Sequence, residues 1–276
     1  MGTVPFIFIM DNELLIKAFE AAQKGRSFAF ATVVETTGKG TPRKTGAKMI
    51  VLEDGSLFGT IGGGSNEKKA REECLKAIKQ KRSTLFTYDL LGKKGQPICG
   101  GQIKVFIEPF TKKNKLVICG GGHIALPLSA IGKMLNFEVS VIDARKEFSR
   151  KKRFPHIDKI IFSDQAKYLA KLPIDQNTFI IIVTHGHEFD YDCLKAVVRS
   201  NAAYIGVISS KLKRTKFLAQ LKKEGVDQKY LKKIKIPVGI DIGAQTPEEI
   251  AISIAAEIIS VTNKDSIGTA KFKRNP

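Results

Sequence analysis

Residues 116–145 read LVICGGGHIALPLSAIGKMLNFEVSVIDAR. The segment opens with four apolar residues typical of a buried strand, and three glycines follow at once. Residues 124–135 then have the apolar spacing of a helix, and a second apolar run ends beside Asp143. This order of strand, glycine turn, helix, strand and acid predicts a nucleotide-binding unit of the Rossmann type.

The glycines fit the G-x-G-x-x-A form of the dinucleotide fingerprint, with Gly120, Gly122 and Ala125 at its fixed positions. Gly120 permits the tight turn, Gly122 lets a pyrophosphate approach the backbone, and Ala125 lets helix and strand pack closely. We therefore predict cofactor binding by Gly120, Gly121, Gly122 and His123, where the histidine either contacts phosphate or caps the helix. A purely structural turn between strand and helix is the alternative interpretation.

Two charged residues follow the second strand. Asp143 lies 23 residues after Gly120 and is placed to bind a ribose diol. Arg145 lies two residues further on and is suited to a ribose 2′-phosphate. Asp143 therefore favours NAD or another adenosine ribose, whereas Arg145 keeps NADP open.

The rest of the second half alternates between strand and helix patterns after a polar basic linker at 111–115. Strands are predicted at 115–119, 138–142, 159–162, 179–183, 204–208 and 235–238, and helices at 124–135, 165–171, 191–200, 211–225 and 247–261. We expect an α/β domain over 116–276, with a Rossmann-like parallel sheet and helices on both faces.

The first half has a different pattern and predicts a smaller α+β domain over 1–110. Helices are expected at 13–23 and 66–81, and strands at 28–34, 48–52, 57–60 and 103–107. Asp54-Gly55 is typical of a hairpin turn between two of these strands.

Two of the four histidines, His185 and His187, follow the apolar run 179–183 in the sequence THGHEFD. In an open α/β sheet the carboxyl ends of the strands form the ligand-binding edge. These histidines are thus candidates for contact with a cofactor, for proton transfer or, with Asp190, for metal binding. A structural turn with Asp190 as the helix N-cap is the alternative.

The first half contains a second set of candidate residues. Gly62, Gly63 and Gly64 lead from a strand into a helix, so their backbone N–H groups could cradle an anion. Arg43 adds a guanidinium suited to phosphate. Cys99 precedes two glycines, which leave its sulfur approachable. Tight turns and a small buried residue are the structural alternatives.

Composition limits the classes of function. The 276 residues carry a net charge of +19, and basic side chains exceed acidic ones in both halves. Such a charge attracts anions, but no zinc-finger spacing or basic–aromatic interleaving indicates a nucleic-acid partner. The apolar run 4–10 is too short to span a membrane, and the four separated cysteines fit a reducing compartment. We expect a cytoplasmic protein.

Several short segments together resemble the xanthine dehydrogenase accessory proteins of the XdhC/CoxI family. In the first half these segments are TPR at 41–43, GTIGGG…E at 59–67 and CGG…EP at 99–109. In the second half they are GGGH at 120–123, DAR at 143–145, THGH…D at 184–190, YIG at 204–206 and PVGIDIGAQTPEEIAISIAAE at 237–257. The resemblance covers nearly the whole chain, in order.

The resemblance implies a maturation factor for molybdenum hydroxylases that binds molybdenum cofactor, protects it during sulfuration and delivers it to the apo-enzyme. It implies a chaperone more than a catalyst. It also implies a cysteine desulfurase as a second partner and a homo-oligomer. Molybdopterin and its dinucleotide form are both possible forms of the cofactor. Many relatives have cysteine where this chain has Ser65, so Cys99 is the family-matched thiol expected to bind the metal. An oxidoreductase that uses NAD or NADP is the alternative function.

Overall fold

The computed structural model describes residues 7–37, 45–62, 65–91 and 97–263. The chain divides into two compact units, Met1–Lys112 and Lys113–Pro276. None of the helices in these ranges has both the length and the apolar character that crossing a bilayer requires.

The first unit is an antiparallel sheet with helices. Its elements are α1 (Ile7–Gln23), β1 (Phe28–Thr36), β2 (Lys48–Leu52), β3 (Leu57–Gly59), α2 (Ser65–Gln80), β4 (Thr84–Leu91) and β5 (Pro97–Phe110), in the sheet order β3-β2-β1-β5-β4. Alternate β1 residues, Ala29 and Ala31 among them, are fully buried with Ala70 and Cys74 of α2. The buried face of β1, formed by every second residue, thus packs against the apolar face of α2.

The second unit is a six-stranded parallel sheet in the order β11-β10-β9-β6-β7-β8. Its strands are β6 (Lys115–Cys119), β7 (Glu138–Asp143), β8 (Lys159–Phe162), β9 (Thr178–Ile182), β10 (Tyr204–Val207) and β11 (Ile234–Lys235). Its helices are α3 (Ala125–Met134), α4 (Gln165–Leu169), α5 (His187–Val197), α6 (Lys211–Lys223), α7 (Gln228–Leu231) and α8 (Pro247–Thr262), with a 3-10 turn at Lys146–Phe148. The continuous apolar sequences of β6 and β9 suit strands that are covered on both sides.

Helices cover both faces of this sheet. Leu194 of α5 and Leu221 of α6 belong to one buried cluster, whereas Leu128 of α3 and Ile254 of α8 belong to the other. The expected fold class, a Rossmann-like parallel sheet with a helical layer on each face, is confirmed.

A hydrogen-bonded network joins the first residue of β10 to α8. The Tyr204 hydroxyl donates to Glu257, and the backbone N–H of Gly239 donates to the same carboxylate at 2.7 Å. Burial, and then the hydrogen bond to Glu257, raise the pKa of Tyr204. A Cβ on Gly206 would lie 2.3 Å from the Val238 side chain, so this glycine is required by close packing. The YIG and PVG segments therefore have a structural role in this unit.

Several boundaries differ from the sequence prediction. Strand β4 and helix α7 were not predicted, and β5 extends well beyond the predicted 103–107. Gly100 and Gly101 lie inside β5, and glycine pairs usually indicate turns. Helix α5 begins at His187, four residues before the predicted start at Tyr191.

Candidate cofactor site at the glycine turn

The glycine turn lies where ligands bind in open α/β sheets. Strand β6 ends at Cys119, and Gly120–Gly122 connect it to α3. Strand β7, the next strand in the chain, pairs with one edge of β6, whereas β9 pairs with the other edge of β6. The strand order therefore reverses here, and such switch points form crevices at the carboxyl ends of the strands.

The first two glycines are required by close contacts. Gly120 has a φ of +108°, and a Cβ there would lie 2.4 Å from the backbone oxygen of Val183. A Cβ on Gly121 would lie 2.3 Å from the backbone oxygen of Phe148. The turn is thus packed between the end of β9 and the 3-10 turn, and no side chain fits at either position.

Gly122 has the opposite environment. Apart from Gly122 and its two chain neighbours, no described residue has an atom within 4 Å of the position that a Cβ would occupy. Helix α3 begins three residues later, at Ala125, and helix N-termini attract anions through their unpaired N–H groups and the helix dipole. One backbone position in a closely packed turn is therefore open to a ligand.

Asp143 is fully buried and already has hydrogen-bond partners. Its Oδ2 accepts from the backbone N–H of Gly121 at 2.7 Å and from Arg145 Nη2 at 2.8 Å. Its Oδ1 accepts from the backbone N–H and Nε of Arg145, at 2.8 and 2.9 Å. Burial raises the pKa of Asp143, but the hydrogen bonds from Arg145 and Gly121 outweigh burial and lower it below the ordinary value.

Phe148 and Arg153 also lie beside the turn, although the sequence did not indicate them as site residues. The Arg145 guanidinium lies 3.8 Å from the centre of the Phe148 ring, and that of Arg153 lies 5.2 Å from the same ring. Arg153 also donates to the backbone oxygens of Gly121 and Gly122, at 3.0 and 3.3 Å. The only indication in the sequence was the basic run 150–153, which is equally typical of a solvated surface.

The histidines have different environments. His123 and His185 are exposed, and the His185 ring stacks on Phe189 with centroids 4.8 Å apart. His187 begins α5, and its side chain lies outside the described residues. In the part of the chain that the structure describes, no three metal-binding side chains form a cluster.

The alternative interpretation of Asp190 as an N-cap was wrong. The N-cap of α5 is Gly186, and Asp190 lies inside the first turn. The buried Asp190 carboxylate accepts from the backbone N–H of Thr184 at 3.2 Å and from its hydroxyl at 2.6 Å. Asp190 therefore fixes the loop after β9, and the helix starts earlier than the sequence suggested.

Three of the four cysteines, Cys74, Cys119 and Cys193, are free and buried. Burial raises the pKa of Cys74 to about 12, consistent with packing in α2. Cys119 is hydrogen-bonded to Cys193, and this contact and burial raise the pKa of Cys119 well above its usual value. Cys99 lies in β5, but its side chain lies outside the described residues.

The first-half glycines are described only in part. Gly62 has a φ of +138°, and its N–H donates to the Thr60 hydroxyl at 3.2 Å. That hydroxyl in turn donates to Glu67 of α2. Gly63, Gly64 and Arg43 lie outside the described residues. The anion cradle predicted here stays a prediction.

Comparison with protein families assigns both halves of the chain. Residues 116–258 match the XdhC Rossmann domain, and residues 21–89 match the XdhC and CoxI family. The chain belongs to the XdhC and CoxI family. The family resemblance identified from the sequence motifs is thereby confirmed.

Individual relatives are similar to large parts of the chain. The chain is 32% identical over 255 residues to the uncharacterized protein YqeB of Escherichia coli, covering 91% of this chain and 46% of YqeB. It is 29% identical over 163 residues to a Bacillus subtilis protein described as a probable xanthine dehydrogenase subunit, covering 59% of this chain and 47% of that protein. The chain thus spans about half the length of these two relatives.

Two further similarities extend over almost the whole chain. The molybdenum cofactor insertion chaperone PaoD of Escherichia coli is 26% identical over 293 residues, with 92% of this chain and 90% of PaoD covered. A crystal structure of a xanthine dehydrogenase from Bacillus halodurans covers 93% of this chain and 98% of its own, at 23% identity and a TM-score of 0.52. At that identity the structural match shows a shared fold.

Proposed function

We propose that this protein is an accessory factor for molybdenum hydroxylases of the xanthine dehydrogenase type. It binds molybdenum cofactor, holds it during sulfuration and delivers it to the apo-enzyme. Family membership and the similarity to the chaperone PaoD support this proposal. The structural observation that carries it is the open position at Gly122 within an otherwise closed turn.

The residues around the turn fit a phosphate-bearing cofactor. Gly122 leaves room for a bulky group beside the backbone, and the N-terminus of α3 follows. Six of the eleven residues from 143 to 153 are Lys or Arg, so the surroundings favour an anion. Molybdenum cofactor carries such an anion as a phosphate or, in its dinucleotide form, a pyrophosphate.

The chain's own contribution is binding and protection. When bound, the cofactor supplies the metal centre that the client enzyme needs. The backbone at Gly122 of the second unit would hold a phosphate of the cofactor. For the first unit, Cys99 is a separate proposal as a thiolate ligand for molybdenum, since thiolate is a soft ligand. His123, His185 and His187 remain candidates for contact with the cofactor.

The partners follow from the same proposal. We propose a molybdenum hydroxylase apo-enzyme as the recipient, a cysteine desulfurase as the source of sulfur, and a homo-oligomer in the cytoplasm. The free, buried state of Cys74, Cys119 and Cys193 is compatible with a reducing compartment.

The test is to identify what co-purifies with the protein. Purification from molybdate-replete cells, followed by mass spectrometry of the released small molecules, should yield molybdopterin or its dinucleotide. Recovery of NAD or NADP alone would instead favour the oxidoreductase. Incubation with NADH or NADPH and electron acceptors would then measure hydride transfer directly. Protein from cells grown without molybdate provides the control.

A further inference from the structure

The acid at the end of β7 is occupied within the protein. A carboxylate offers about four acceptor sites. Asp143 uses them for two hydrogen bonds on each oxygen, three from Arg145 and one from Gly121. The Asp143 side chain is completely buried, so no part of the carboxylate is open to solvent.

This saturation changes what the site can recognise. An acid in this position normally accepts hydrogen bonds from the two hydroxyls of a ribose. Here a ribose would have to displace Arg145, and breaking a buried charge pair is costly. The Asp143 carboxylate therefore provides no acceptor for a ribose diol while Arg145 remains bound to it.

Arg145 retains donor capacity on its outer side. Its Nε and Nη2 bind Asp143, whereas Nη1 makes no hydrogen bond to the described residues. The Arg145 side chain is 27% exposed and is held in place by its contact with Phe148. A guanidinium fixed in this way is suited to phosphate.

The nearby charged residues also favour the binding of an anion. Arg153 contacts the same Phe148 ring and binds the carbonyl oxygens of the turn. Glu147 is the only other acid between residues 143 and 153. The surroundings of Gly122 are therefore cationic, with the Asp143 charge compensated.

We infer that Arg145 makes this turn selective for a ligand with a phosphate monoester where dinucleotide-binding proteins recognise ribose hydroxyls. The inference rests on the proposed cofactor binding at Gly122 and specifies its ligand class. It disfavours the dinucleotide form of molybdenum cofactor, whose nucleoside ribose has a free diol.

NADP⁺ and NAD⁺ provide a matched pair of probes because they differ only by a ribose phosphate. Isothermal titration of the full chain at low salt should show at least tenfold tighter binding of NADP⁺. Arg145→Gln should reverse the preference, because NADP⁺ loses its phosphate contact and Asp143 becomes available to the NAD⁺ ribose. Arg145→Lys keeps the charge but lacks the planar fork, so it should retain a reduced preference for NADP⁺.

Arg150→Gln is the charge-matched control, because Arg150 is exposed and donates none of the hydrogen bonds that Asp143 accepts. It should weaken both nucleotides by the same small factor and leave their ratio unchanged. Equal or tighter binding of NAD⁺ by the wild-type protein, no binding of either nucleotide, or an unchanged ratio in folded Arg145→Gln would overturn the inference. Co-purification of molybdopterin tests the proposed function separately, so the two can fail independently.

Discussion

Substitutions at the neighbouring positions Gly121 and Gly122 should separate the structural part of the turn from its binding part. A Cβ at Gly121 would lie 2.3 Å from the Phe148 backbone oxygen, whereas a Cβ at Gly122 would meet no described atom within 4 Å beyond its two chain neighbours. The chain therefore contains adjacent glycines with opposite local environments. We compare Gly121→Ala with Gly122→Val.

The expected free energies follow from these distances. Relieving a contact of 2.3 Å requires backbone movement, and overpacking of this kind costs about 1–3 kcal/mol. For a unit of this size each kcal/mol lowers Tm by about 2–4 °C. Gly122→Val adds bulk in open space, so its stability should stay within about 0.5 kcal/mol of wild type.

Ligand affinity should fall in Gly122→Val, the variant whose stability is expected to stay close to wild type. The valine side chain at position 122 would occupy the space through which a phosphate approaches the backbone. We expect at least a tenfold loss of affinity for NADP⁺, equivalent to about 1.4 kcal/mol or more. Urea unfolding and isothermal titration measure the two quantities on the same preparations.

Two results would refute this reasoning. If Gly122→Val unfolds as readily as Gly121→Ala, the space at Gly122 is not open in solution. If folded Gly122→Val binds the nucleotide as tightly as wild type, the ligand does not approach at this glycine. The corresponding small change, Gly122→Ala, serves as a control for the effect of any side chain on the backbone.

Three further predictions concern other parts of the chain. The folded pKa of Asp143 is below its unfolded value of about 3.9. The stabilisation of the fold by Asp143 is therefore complete above that pH and should be lost as pH falls through the folded pKa. Acid titration monitored by circular dichroism checks this against Asp143→Asn, which should lack that part of the transition. Cys99→Ser should lose molybdenum cofactor during gel filtration and Ser65→Cys should retain more, measured as released pterin fluorescence; equal retention by wild type and Cys99→Ser would assign that cysteine a structural role only. Tyr204→Phe removes one donor to Glu257 and should cost about 1–3 kcal/mol in urea unfolding, and an unchanged midpoint would contradict the importance of that hydrogen bond.

The sequence predicted the second unit well where its strands are buried on both faces. Strand β6 has its predicted bounds, and β10 begins at its predicted first residue. Strand β4 has no such simple pattern, because Asp89 interrupts it between Tyr88 and the apolar pair Leu90-Leu91. Its position is fixed by pairing with β5, a contact between segments that sequence periodicity does not reveal.

The sequence predicted where Asp143 lies in the fold more accurately than which contacts it makes. Spacing placed Asp143 at the end of β7, beside the turn, where the structure has it. Spacing could not reveal that Arg145 occupies that carboxylate, since hydrogen bonding depends on side-chain conformation. Phe148 and Arg153 contact the turn because the chain folds back after β7. No local sequence pattern predicts this change of direction.

Arginine at position 145 reconciles stability with the proposed binding. If the ligand drew the Arg145 side chain away, the buried Asp143 would lose two of its four hydrogen bonds, and that loss would oppose binding. The guanidinium avoids this conflict because Nε and Nη2 bind the carboxylate while Nη1 remains available. A lysine has a single nitrogen and could not satisfy both partners with a fixed geometry. The same residue can therefore stabilise the turn and select its ligand without changing conformation.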